Sequence, residues 1–170
     1  MRTTFAAAVT GVAKWRTVGD WKIGFFRTGG AFRKAGLGSF MGTQYSRGTI
    51  LVLGFGAKAG GGYVGVSNDA WDSFEGGNEY QLALKFNDDT SWRGMATGVG
   101  NPVFLIMPFD KPDFLVDFAR KKSVSIAYAG KNVTQLPLRG TYAAVQELLS
   151  CQEALIGERD GPPQGDPVEN

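Results

Sequence analysis

Apolar and polar residues alternate along several short stretches of this chain, which is the pattern of β-strands with one buried face. The clearest stretch is 80–86, YQLALKF, where every second residue is aromatic or aliphatic. The turn-forming triplet Asn87-Asp88-Asp89 follows it, and the segment 90–95 then returns. Together these segments predict an antiparallel hairpin.

Other stretches carry similar strand signals. The segment 21–26, WKIGFF, alternates in the same way, whereas 39–45 shows only a weak strand pattern. The continuous apolar run TILVLGF predicts a strand that is covered on both faces, and VFLIM predicts a further buried strand. The predicted strands are 21–26, 39–45, 49–55, 63–66, 80–86, 90–95, 103–107, 124–129 and 133–138.

The apolar period changes from two to about 3.6 in two places, which indicates helices. A short surface helix is predicted at about 111–120, with Asp110 as its N-terminal cap and Pro112 in its first turn. After a tight corner at Arg139–Gly140, a longer packing helix is predicted at about 141–156. Its predicted apolar face consists of Tyr142, Ala144, Val145, Leu148, Leu149, Cys151 and Leu155.

These elements predict a mainly β fold. We expect an antiparallel β-sandwich or partly closed barrel of about eight strands, with the C-terminal helix packed on the sheet or on an open end. Residues 1–156 would form a single domain. Within it, 1–18 would be irregular chain, a leader remnant or a short strand, and the Pro/Gly-rich acidic tail 157–170 would be disordered.

Residue usage excludes several kinds of catalysis. The chain has no histidine and a single cysteine, Cys151, so Ser-His-Asp triads, Cys-His dyads and histidine-based zinc sites are excluded. On the helical face, Cys151 is read as a small buried hydrophobe. The glycine-rich stretch 54–62 does not open a helix, so it predicts a hairpin loop and not a dinucleotide site. No cofactor is predicted, and the sequence favours a protein that is not an enzyme.

Charge is distributed unevenly along the chain. Residues 1–60 hold nine basic residues and one acidic residue, and residues 61–170 hold nine basic and fifteen acidic residues. A basic first third can bind anions or nucleic acid. A nucleic-acid partner is not favoured, because no six-residue window is densely basic.

Two loops supply the candidate site residues. In the basic, glycine-rich segment 27–38 the binding candidates are Arg27, Phe32, Arg33 and Lys34. In the acidic segment 67–79 the binding candidates are Trp71 and Phe74, because exposed aromatic side chains dominate many binding surfaces. The same segment holds the carboxylates Asp69, Asp72, Glu75 and Glu79, of which the first three are weak metal candidates and all four form the acid–base pool of a carboxylate-dependent hydrolase.

Three short segments resemble a known family. They are Gly19-Asp20-Trp21-Lys22-Ile23, the run from Phe114 to Val124, and the run from Leu136 to Cys151 with its Leu-Pro-Leu-Arg-Gly start. They are similar to small secreted or periplasmic alphaproteobacterial proteins of the invasion-associated locus B family. The resemblance implies a β-sandwich-like domain, export from the cytoplasm and no established enzymatic chemistry.

The function predicted from the sequence is a non-catalytic binding domain of an envelope-associated bacterial protein. Its partner would be a protein or an envelope component, and its location periplasmic or secreted, with the cytoplasm as the alternative. No apolar run approaches the roughly 18 residues that a membrane-spanning helix needs. The carboxylate-dependent hydrolase and anion or nucleic-acid binding remain alternative functions, and the oligomeric state is open.

Overall fold

The computed structural model describes residues 12–57, 61–87, 90–100 and 102–160. In this part of the chain, ten strands form a single antiparallel sheet. The strands are β1 (Val12–Val18), β2 (Trp21–Phe26), β3 (Leu37–Gln44), β4 (Ile50–Gly56), β5 (Gly62–Ser67), β6 (Glu79–Phe86), β7 (Thr90–Val99), β8 (Phe104–Phe109), β9 (Ser123–Tyr128) and β10 (Lys131–Pro137). The helices are α1 (Ala31–Lys34), α2 (Pro112–Arg120) and α3 (Thr141–Asp160).

The strand order along the sheet is β1-β2-β3-β4-β5-β8-β7-β6-β9-β10. The predicted mainly β, antiparallel character is therefore confirmed. The strand count and the sandwich or barrel detail differ from the prediction, because ten strands share one sheet and its edges, β1 and β10, do not pair with each other. Alternation specifies which residues face a core, but it does not distinguish two packed sheets from one sheet that curves around its core.

Strand β1 was only one of the alternatives for residues 1–18 and not among the predicted strands, because its residues do not alternate. A bulge between Lys14 and Arg16 shifts its register against β2 and interrupts the period of two. It is also an edge strand whose residues 14–17 are exposed, so it carries no apolar signal. Of the alternatives for segment 1–18, a short strand is found from Val12 onward, and residues 1–11 lie outside the described residues.

The main core lies on one face of the sheet, beneath α2 and α3. Its members come from β2 to β10 and both helices, and they include Trp21, Leu51, Phe86, Phe118 and Leu148. The sheet curves enough to bring β10 close to β2 and β3. The Trp21 indole Nε1–H donates to the Arg139 carbonyl at 2.8 Å, and the Tyr45 hydroxyl donates to the Pro137 carbonyl at 2.7 Å. We call this meeting point, formed by these four residues, the seam.

A second, smaller core covers the opposite face of β2 to β5 and β8. It contains Phe26, Phe32, Leu37, Phe40, Ile50, Val52, Tyr63, Phe104 and Ile106. Strands β4 and β8 contribute alternate residues to the two cores, so both are buried on both faces, as was predicted for β4 from its continuous apolar run.

The helices agree with the sequence pattern in position. Helix α2 begins at Pro112, but its cap residue is Lys111 instead of Asp110, and no side chain caps it. In α3 the residues Ala144, Leu148, Cys151 and Leu155 are buried, whereas Tyr142 and Leu149 are exposed, so its apolar face is narrower than predicted. The helix also runs beyond 156, to Asp160, and residues 161–170 lie outside the described part.

Polar contacts fix α3 against the sheet. The Ser39 hydroxyl donates to the Gln152 amide oxygen at 2.6 Å, and the Gln152 amide nitrogen donates to the Gly56 carbonyl at 3.2 Å. At the edge, Trp15 and Arg16 both donate to the Glu147 carboxylate, the latter at 3.0 Å. The buried Ser39–Gln152 pair specifies one helix position, because shifting the helix leaves these polar groups without partners. No helix within the described ranges has the length and apolar character needed to cross a membrane.

Candidate binding site

The basic segment 27–38 is not a continuous loop, because it contains a short helix and the start of a strand. Residues Ala31–Lys34 form α1, and β3 begins at Leu37. Phe32 is only 8% exposed. Its ring stacks on Phe26 with 5.0 Å between centroids and meets Phe104 edge-on at 5.5 Å. Phe32 is therefore an anchor of the second core, and its ring is not available as a surface contact.

The three basic candidates beside Phe32 differ in their surroundings. Arg33 is half-buried and donates a hydrogen bond to the Phe26 carbonyl, which ties α1 to the end of β2. Arg27 and Lys34 are exposed. The structure thus leaves these two as the accessible cations of this segment.

Basic residues of the first third do not lie at one place. Arg27 follows the end of β2, whereas Arg47 lies in the turn between β3 and β4, at the opposite end of β3. The eight residues of β3 separate these ends by about 25 Å at roughly 3.4 Å per residue. Arg16 is in an ion pair with Glu147 at 3.0 Å. This arrangement gives no support to a continuous anion-binding stripe.

The aromatic candidates of the acidic segment, Trp71 and Phe74, belong to a cluster with two tyrosines. Trp71 meets Phe74 edge-on at 6.0 Å, and Phe74 meets Tyr80 at 4.9 Å and Tyr128 at 5.5 Å. The Glu75 backbone N–H also donates to the Tyr80 hydroxyl at 2.8 Å. Edge-to-face aromatic pairs are favourable, so these contacts attach segment 67–79 to β6 and β9 while both candidate rings stay half-buried.

The four carboxylates of this segment lie at the surface of the protein. Asp69, Asp72, Glu75 and Glu79 are all exposed, and Glu75 accepts a hydrogen bond from Asn78 at 3.2 Å. Over the described ranges, no three acidic or cysteine side chains lie close enough together to hold a metal ion. Residues 70–74 contain no helix and are largely irregular.

Beside the aromatic cluster, the sheet carries an open groove of about 770 Å³ across β7, β6 and β9. None of the sequence patterns described above predicts this groove as a binding site. Its floor is made of small residues, Ala83 and Ala127, which are direct partners in the ladder between β6 and β9. Gln81 and Met95, another directly paired set, form part of its wall, and Met95 is 48% exposed. We refer to this feature as the β6 groove.

The strand pattern explains why the β6 groove lies on the outer face. In β6 the residues Tyr80, Leu82, Leu84 and Phe86 are buried in the main core, so the alternate residues Gln81 and Ala83 face the other way. Two charged side chains also line the groove, Glu79 at the start of β6 and Arg93, which is paired with Ala83. Four residues of β6 separate these positions, about 13 Å, so the groove has an acidic and a basic end.

Cys151 is unsuited to act as a nucleophile. Its side chain is buried, and its thiol lies 3.6 Å from the Gly24 carbonyl. Burial raises the pKa of the Cys151 thiol to about 11, because the thiolate would lose its hydration. This position agrees with its interpretation as a small core residue.

We therefore expect Cys151 in the folded protein to react with iodoacetamide at pH 8 at least about 100-fold more slowly than in the urea-unfolded chain, because only the thiolate is nucleophilic. Mass spectrometry over a time course measures both rates. Labelling of the folded protein at the rate of the unfolded chain would show that the thiol is accessible and ionised.

Two of the three segments that carried the family resemblance meet at the seam. The indole of Trp21, from Gly19-Asp20-Trp21, donates to the carbonyl of Arg139, from Leu136-Pro137-Leu138-Arg139-Gly140. Gly140 has a φ of +68°, which favours glycine and makes the corner before α3. Both motifs therefore have a structural reason to occur together.

Fold and groove together define a mainly β domain with one curved antiparallel sheet, a packing helix and an open surface groove. The solved structure of invasion associated protein B from Bartonella henselae has a similar fold, with a TM-score of 0.55 at 16% sequence identity. The match covers 81% of this chain and 97% of that one, and it confirms the resemblance at the level of the fold. No protein-family profile and no curated protein matches the sequence.

Proposed function

We propose that this protein is a non-catalytic binding domain that holds an extended segment of a protein partner in the β6 groove. The observation that carries this proposal is the groove itself, about 770 Å³ in volume with small residues on its floor and a half-exposed methionine at its wall. Methionine side chains are unbranched and adaptable, and they are common at surfaces that bind peptides. Small floor residues leave room for the side chains of a partner.

An extended segment suits this groove better than a small ligand does. The groove is open and crosses three adjacent strands, so a chain can lie over it with both ends in solvent. Glu79 and Arg93 lie at separate positions along it, and a segment with a basic and an acidic end would be bound in one direction. Most of the groups that line the groove are aliphatic, amide or aromatic, which favours binding of a partner segment over proton transfer.

The envelope is the compartment that we propose for this function, either the periplasm or the extracellular side. Support comes from the fold likeness to an invasion associated protein of a bacterium. Osmotic-shock fractionation of the producing bacterium, followed by detection with an antiserum, tests the location. Recovery with the cytoplasmic fraction would contradict the proposed compartment but would not bear on the proposal that the β6 groove binds a protein segment.

Filling the groove should abolish binding. We expect Ala83→Arg to weaken the affinity for groove-binding peptides about tenfold or more, because a long side chain then occupies the floor. The probes are peptides selected from a displayed random-peptide library against the immobilised protein. Fluorescence anisotropy of the labelled peptides measures their dissociation constants, and NMR of the Met95 methyl group reports whether they occupy the groove.

Ser91→Arg provides the matched control. Ser91 is also exposed, lies on the same face of β7 as Arg93 and Met95, and does not line the groove. The control should bind the selected peptides as the parent does. A library that yields no binding peptide, or peptides that bind Ala83→Arg as tightly as the parent, would contradict the proposal.

A further inference from the structure

A second cavity, of about 370 Å³, lies at the seam and is separate from the β6 groove. Trp21, Thr43 and Tyr45 line it from the side of β2 and β3, and Pro137 and Arg139 line it from the end of β10. Its volume is within the range of small-molecule sites, about 300–1,000 Å³. The mouths of curved and barrel-like sheets are common places for such sites.

Thr43 is the polar group at the inner wall of this cavity. It pairs with Leu51 in the ladder between β3 and β4, and directly opposed residues share a face, so its side chain faces the main core. Thr43 is only 7% exposed, and within the described part of the chain its hydroxyl has no hydrogen-bond partner. A buried hydroxyl without a partner is unfavourable, so a ligand with a matching polar group would satisfy it.

Opposite charges stand at the rim of the cavity. Asp20 lies in the turn before β2, and Arg139 lies across the seam, after β10. Among the residues that the structure describes, neither side chain is in an ion pair. The pKa of Tyr45 is raised, first by burial and second by the negative charge of Asp20. The Asp20 carboxylate therefore lies near the Tyr45 phenol in the cavity.

We propose that this seam cavity is a binding site for a small zwitterion, namely a free α-amino acid. Its carboxylate would bind the Arg139 guanidinium, its ammonium group would bind the Asp20 carboxylate, and a polar group of the ligand would reach the Thr43 hydroxyl. Charge complementarity favours a molecule that carries both charges, since a carboxylate alone would pair only with Arg139 and an ammonium group alone only with Asp20. The site is independent of the β6 groove and of its partner.

NMR of the full-length, ¹⁵N-labelled protein tests the proposal through the Trp21 indole resonance, because that N–H lies in the wall of the cavity. The probes are glycine, serine, alanine and glutamine, with acetate and methylammonium as half-molecules. We expect at least one amino acid to shift the Trp21 and Thr43 resonances saturably below about 10 mM, and the half-molecules to bind at least about tenfold more weakly. Absence of a saturable shift for all four amino acids, or equal binding of a half-molecule, would overturn the proposal.

Single substitutions test the two charged residues and the Thr43 hydroxyl separately. Asp20→Asn and Arg139→Gln should each weaken binding about tenfold or more while melting as the parent does, because both side chains are exposed. Thr43→Val should also weaken binding but melt at the same or a higher temperature, because it removes the hydroxyl that lacks a partner. Asp113→Asn and Arg27→Gln, distant in the fold, serve as controls. A folded Asp20→Asn or Arg139→Gln variant that binds as tightly as the parent would refute the assignment.

Discussion

Replacing Leu148 by aspartate should leave the protein unfolded or aggregated. Leu148 is completely buried in the main core on the face of α3 that packs against the sheet. Truncating a buried leucine alone costs about 2–5 kcal/mol, and burying a carboxylate there without a partner adds to this loss. The total is comparable with the roughly 5–15 kcal/mol by which a domain of this size is stable.

The adjacent residue provides a close control. Leu149 is 37% exposed, so Leu149→Asp places the same charge in the same turn of α3 but in contact with solvent. We expect that variant to lose no more than about 1 kcal/mol. Circular dichroism melting and the dispersion of the NMR spectrum compare the two. A well-dispersed spectrum and an unchanged melting temperature for Leu148→Asp would show that α3 does not pack as described.

Sequence reasoning succeeded where local pattern and burial agree. The hairpin of β6 and β7 was predicted because four inward residues alternate with polar ones and a turn of Asn and Asp follows. Strand β4 was predicted as covered on both faces because its apolar run is continuous, and both cores do use it. The edge strand β1 lacked that signal, since its residues are exposed and its bulge breaks the period.

The β6 groove could not be predicted from loops, because it is made by strand order. Strand β6 lies between β7, its hairpin partner, and β9, which follows about 40 residues later in the chain. Alternation could have placed Met95 on the outer face opposite Gln81, since the hairpin register follows from the turn at 87–89. It could not have placed Ala127 beside Ala83, because that pairing depends on a long-range contact.

The aromatic candidates also show what cannot be predicted from composition. Composition marks Phe32 and Trp71 as aromatic residues in polar segments, but it does not indicate which way each ring points. Phe32 turns into the second core, whereas Trp71 remains half-buried beside Phe74. The difference arises because α1 packs over β3 and close to β8, a contact between segments far apart in the sequence.

Gly54→Ala is the second substitution for which we expect a large loss of stability. Gly54 lies inside β4, in a stretch whose glycines were interpreted as a hairpin loop; the connection itself begins only after Gly56. A Cβ atom at position 54 would collide with the Ser39 carbonyl oxygen and would meet the Tyr63 hydroxyl at 2.5 Å. Real Cβ atoms do not approach other atoms so closely, so the strand pair or the ring must move.

The Tyr63 ring can pack across position 54 because Gly54 has no side chain. Tyr63 is the direct ladder partner of Gly54, and its hydroxyl crosses β4 to donate to the Ser39 carbonyl at 3.1 Å. The ring is buried in the second core, and burial raises the pKa of Tyr63 well above its ordinary value. Overpacking typically costs about 1–3 kcal/mol, and losing this buried hydrogen bond costs about 1–3 kcal/mol more.

Urea denaturation measures the effect, and two further variants assign its cause. Gly76→Ala is the matched control, because nothing lies within 4 Å of a Cβ atom there, and it should change stability by no more than about 0.5 kcal/mol. In a Tyr63→Ala background, Gly54→Ala should cost at least about 1 kcal/mol less than in the parent, since the ring that the methyl group meets is gone. Equal costs in both backgrounds would show that only the Ser39 backbone carbonyl, and not the tyrosine, requires glycine at this position.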